Sequence, residues 1–67
     1  MRYEEASTWC IRHASEVTSG TTPLGGHTLT LSAFGRTVTA AVQEPTWEGW
    51  REALVLLVDH LRQELPS

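Results

Sequence analysis

The stretch "HTLTLSAFGRTVTAAVQ", residues 27 to 43, decides how this chain folds. Its apolar residues recur at every second position: Leu29, Leu31 and Ala33 alternate with Thr28, Thr30 and Ser32, and Val38, Ala40 and Val42 alternate with Thr37, Thr39 and Ala41. A period of two places all apolar side chains of a strand on one face, and the "FGR" between the two runs is too short for anything but a tight turn. The pattern is a β-hairpin over 28–43 with one apolar and one threonine-rich face. Glycine is preferred first in a type II′ turn. With Gly35 and Arg36 as the turn, the expected cross-strand pairs are Ala33 with Val38, Leu31 with Ala40 and Leu29 with Val42.

On the C-terminal side, "QEPTWEGWREALVLLVDHLRQELPS" reads as a helix over about 47–64. Pro45 closes the strand, Thr46 suits the N-cap, Glu48 complements the helix dipole in the first turn, and Pro66 stops the helix. At about 100° per residue, Trp47, Trp50, Leu54, Leu57, Val58, Leu61 and Leu65 fall on one stripe. Both tryptophans are therefore expected in the core. On the N-terminal side, Tyr3, Ala6, Cys10, His13, Ala14 and Val17 share a face of mostly small side chains, which predicts a helix over about 3–18 ending at Gly20. The "TSGTTPLGG" that follows is read as a loop over 19–27.

These pieces predict an α+β fold of order helix, two-stranded antiparallel hairpin, helix (αββα), in one domain spanning 1–67. The bulky stripe of the second helix is expected to nest against the small face of the first, with the hairpin covering both. That order resembles the small head-to-tail joining proteins of tailed phages, which pair two helices with one hairpin. The basic C-terminal tail looked for in those proteins is missing here.

Composition narrows the function. A chain of 67 residues buries only roughly 60% of its unfolded surface, leaving little room for both a core and a substrate pocket. The net charge is -3, and the five cations are isolated arginines (2, 12, 36, 51 and 62) with no lysine. Nucleic-acid binding rests on clustered cations, so a nucleic-acid partner is not expected. The longest apolar run, "ALVLLV" at 53–58, is far short of a bilayer span, and "MRYEEASTW" carries no signal-peptide stretch. A lone Cys10 excludes an internal disulfide and suits a reducing, cytoplasmic setting.

Cys10 and His13 lie three apart, and His27 and His60 are the only other histidines that could complete a zinc site with them. A single C-x-x-H without a second paired motif is weak evidence for zinc, and a small buried thiol beside a boundary histidine is the simpler reading. A Cys/His nucleophile would need an exposed, acidic thiol. No triad, paired-carboxylate cleft, P-loop or dinucleotide fingerprint is present in the sequence, so neither an enzyme nor a cofactor is expected.

What remains is apolar surface. Gly49, Ala53, Leu56 and His60 lie opposite the tryptophan stripe, Ile11 lies off the buried face of the first helix, Trp9 lies at its edge, and Phe34 lies at the hairpin tip on the threonine face. These seven are the candidate partner-binding residues. They point to a non-enzymatic module that occludes or bridges a larger protein, of the kind mobile genetic elements use against host complexes, anti-CRISPR inhibitors being one example. The alternative is a structural subunit: an obligate homo-oligomer, in which free hairpin edges pair into a homodimer, or a virion joining protein.

Overall fold

In the computed structural model, which describes residues 2–65, the order is α1 (Tyr3–His13), β1 (Ala14–Thr21), β2 (His27–Ala33), β3 (Arg36–Val42) and α2 (Trp47–Glu64). The α+β class and the helix, sheet, helix order are as expected, but the sheet is three-stranded and antiparallel, in the order β1-β2-β3. The likeness in element order to the head-to-tail joining proteins ends with this third strand. Pro66, expected to stop α2, lies outside the described residues. The helix is closed before it, by the Leu65 N–H donating to the Leu61 carbonyl.

The extra strand corrects the first helix. Residues 14–18, expected to continue it, and 19–21, expected in the loop, form β1 instead, and the chain passes from helix to strand at Ala14 with no intervening loop. Ser15, Val17, Thr18, Ser19, Gly20 and Thr21 are all poor helix formers, and Val and Thr are favoured in strands. Pairing them with β2 satisfies backbone groups that a two-stranded hairpin would leave at an open edge. Val17 is exposed rather than buried, lying beside its partner Leu31 on an edge strand.

The turn between β2 and β3 is Phe34–Gly35, not Gly35–Arg36. Both residues have positive φ, 54° and 76°, as a type I′ turn requires and as the right-handed twist of a hairpin favours. The register accordingly differs by two residues from expectation: Ala33 pairs Arg36, Leu31 pairs Val38, Leu29 pairs Ala40 and His27 pairs Val42. A shift of two keeps every side chain on its expected face. It also aligns hydroxyls across the open face, Thr30 with Thr39 and Ser32 with Thr37, each at 3.0 Å.

The core lies between the other face of the sheet and the helices. Leu29, Leu31, Ala33 and Val42 from the sheet, Ala6 from α1, and Ala53, Leu57, Val58 and Leu61 from α2 form one buried cluster. α2 lies across β2 and β3, and α1 packs beside α2. The small side chain of Ala6 lets that helix pair approach. Thr46 caps α2 as expected, its Oγ1 accepting from the Gly49 N–H at 3.1 Å.

Trp47 is a correction. It is 64% exposed, while Trp50 packs against the core from its edge. Trp47 lies at the mouth of a shallow hollow that it lines with Tyr3, Val17 and Leu29; its ring meets Tyr3 edge to face at 6.4 Å, with the Arg51 guanidinium 4.8 Å from both ring centroids. Truncating it removes about 1 kcal/mol of burial, whereas Leu61→Ala empties a site with no exposure and costs about 2–5 kcal/mol. Urea denaturation of the two variants should show that order.

Gly49 sets how closely α2 follows β3. A Cβ on it would collide with the Glu44 backbone carbonyl, and backbone cannot swing aside as a side chain does. Gly49→Ala is expected to destabilise by about 1–3 kcal/mol despite the gain in helix propensity, a sign that thermal unfolding would report directly.

Candidate functional site

The candidate partner residues fall into separate surfaces. Ala53 leaves the set: at 3% exposure it belongs to the core, because the β3 strand closes over that side of α2. Gly49 is half-buried beneath the Glu44 carbonyl and is structural. Leu56 stays on the surface at 64% exposure, and His60 is exposed one turn further along. Ile11, 83% exposed, projects alone from α1 on the side away from its buried Ala6.

Trp9 and Phe34, far apart in sequence, come together. Phe34 does not lie on the threonine face: its ring turns to the helix side, 6.1 Å from Trp9 and 5.4 Å from His13, and Trp9 and His13 are themselves 5.2 Å apart. Trp9 and His13 are one turn apart on α1, which aligns them, and the tight turn delivers Phe34 onto them. His13, expected on the buried face, is exposed. The resulting aromatic triad is partly open, with Phe34 57% exposed. The adjoining surface of α1 and α2 carries Glu5, Arg12 and Arg62, so an apolar centre is bordered by both signs of charge.

The backbone under Phe34 is strained. A bulky L-residue at φ 54° brings its Cβ against the neighbouring carbonyl at a cost of about 1–2 kcal/mol, which Gly avoids and Asn reduces by local hydrogen bonding. Asn-Gly is the preferred pair for this turn. Phenylalanine stands there instead, at the most prominent point of the hairpin.

The second surface runs along β3 and α2. Val38, Ala40, Leu56, Leu57 and His60 line an open groove of ≈ 390 Å³ between strand and helix. One end holds Glu64, which accepts from Arg36 Nη1 at 3.2 Å and from His60 Nε2 at 2.9 Å. The other end is acidic, with Glu44, Glu48 and Glu52 together around Leu56.

The chemistry-bearing residues are dispersed. His13 stacks in the aromatic triad, His27 packs edge to face on Trp50 at 6.1 Å, and His60 pairs with Glu64. Among the described residues no three His, Cys, Asp or Glu side chains are grouped to hold a metal ion. Cys10 is half-buried against the core, and burial pushes its thiol pKa up from the ordinary 9.0. Desolvation penalises the thiolate, the reverse of what activates a nucleophile. No described helix is long and apolar enough to cross a membrane. Compared with known protein families, curated proteins and solved structures, the chain matches none.

A folded thiol that holds its proton more tightly than the unfolded one contributes stability that is present below the ordinary pKa and is lost as pH rises through the folded value. Iodoacetamide alkylation at pH 8 should accordingly be several-fold slower for the folded protein than for the urea-unfolded chain. Mass spectrometry against time would follow it.

Proposed function

We propose that this protein is a non-enzymatic binding module that uses the Trp9, His13 and Phe34 surface to occlude or bridge a larger protein partner. The observation that carries the reading is Phe34: an exposed aromatic side chain that the turn itself does not need, held in a backbone conformation that costs energy. Strain of this kind concentrates at functional positions. Aromatic residues surrounded by polar ones are also the usual anchors of protein interfaces. The dispersed histidines and the acidity-suppressed thiol lend no support to catalysis. Small size and an exposed anchor on a rigid hairpin suit an inhibitor of a host complex, and a mobile-element inhibitor of the anti-CRISPR type is the role we favour within this class.

The turn provides a clean test. Phe34→Asn exchanges about 1–2 kcal/mol of backbone strain for aromatic contacts worth about 0.5–1.5 kcal/mol each, so the variant should fold with stability within about 1 kcal/mol of the parent. Affinity capture with the parent should retain a protein partner in stoichiometric amount, and Phe34→Asn should lose it. Recovery of no partner, or equal recovery by a folded Phe34→Asn, would refute the reading.

A further inference from the structure

The free edge of β3 carries its own signature, independent of the aromatic surface. Strand order makes β1 and β3 the two edges of the sheet. A two-residue turn is closed by a hydrogen-bonded pair, here Ala33 with Arg36. Because hydrogen-bonded and non-bonded pairs alternate, the N–H and C=O groups of Thr37, Thr39 and Ala41 point outward, away from β2. Natural edges are protected by lysine, proline, bulges or an inward charge. The β1 edge has such protection in the register irregularity between Ala14 and Glu16. β3, "RTVTAAV", pairs regularly over all seven of its residues, so about 23 Å of regular edge at roughly 3.3 Å per residue is left open.

Alongside that edge lies the exposed Leu56, and the charges on either side of it are ordered. α2 runs antiparallel to β3, since Arg36 at the start of the strand bonds Glu64 at the end of the helix, while Gln43 and Glu44 lie beside Glu48 at the helix start. Along the edge the surface therefore reads Arg36, bonded to Glu64 of α2, then apolar (Val38, Ala40, Leu56), then acidic (Glu44, Glu48, Glu52). A two-fold axis through the apolar centre reverses that order. It brings Arg36 of one copy onto the acidic end of the other and sets leucine beside leucine, the self-complementarity an isologous interface requires.

We propose that the β3 edge is an interface with a second copy of this chain, the two β3 strands pairing antiparallel about Ala40 into a continuous six-stranded sheet. In this register Val38 faces Val42 of the second copy, Arg36 faces Glu44 of the second copy, and the outward groups of Thr39 bond Ala41 of the second copy. Leu56 from each protomer closes the groove above the new strand pair. The aromatic triads lie outside the interface, so the dimer presents two copies of that surface.

Sedimentation equilibrium of the pure protein tests the interface without reference to any other partner. At about 100 µM, a concentration at which even a small interface populates its complex, the parent should sediment at twice the chain mass, and Leu56→Asp at the chain mass with an unchanged circular dichroism spectrum. Glu44→Arg sets Arg36 against arginine, and Arg36→Glu sets Glu44 against glutamate, so each alone should weaken the dimer at least tenfold. An equimolar mixture of the two restores both pairs and should regain the dimer. A monomeric parent, a dimer that survives Leu56→Asp, or a mixture no tighter than its components would each overturn the proposal.

Discussion

The structure depends on burying one row of side chains. Leu29, Leu31 and Ala33 on the central strand are covered by Leu57, Val58 and Leu61 of α2, and the rest of the chain is arranged around that contact. In so short a chain there is no second core to compensate for its loss. The helix must lie close to the strands, which is why Gly49 passes beneath the Glu44 carbonyl and why the side of α1 facing α2 carries an alanine. The opposite face of the sheet, with its paired hydroxyls, stays in water.

A core confined to one face leaves the ends and edges of the sheet to carry function. The aromatic triad sits at the hairpin end, where α1 and the turn converge, and the groove lies along the outer strand. These two surfaces differ in physics. The first is a compact aromatic anchor on strained backbone, suited to a pocket on a different protein. The second is a row of outward backbone groups on an edge strand, flanked by Arg36 at one end and by Glu44, Glu48 and Glu52 at the other. The proposed partner site and the proposed contact with a second copy thus use separate surfaces.

Much of this was legible in the residues. The period of two placed residues 28–33 and 37–42 on their correct faces, and the cap at Thr46 and the stripe through Leu57, Val58 and Leu61 located α2 and its buried side. The exposed positions of Ile11 and Leu56 followed from helical phase, whereas Phe34 is exposed but on the helix side rather than the threonine face that strand phase gave it. The errors share a cause. Helical phase says which way a residue points but not how much lies opposite, so Trp47 was read as core although it is left 64% exposed, and Ala53 was read as surface although it is buried against β3. The strand β1 was hidden because Ala14 and Val17 fit a helical face, and only the open edge of β2 tips so polar a segment into a strand.

The sequence by itself determined the α+β class, the face that β2 and β3 bury and the span of the second helix, because these follow from local periodicity and capping, which need no distant partner. Only the tertiary structure decided the third strand, the turn register and the meeting of Trp9, His13 and Phe34. Each of these depends on contacts between residues remote in sequence: backbone hydrogen bonds across an edge, hydroxyl pairs between strands, and an aromatic ring delivered by a turn onto a helix formed more than twenty residues earlier. The free energies that choose among such contacts are set by what lies opposite in space, and no period along the chain records that.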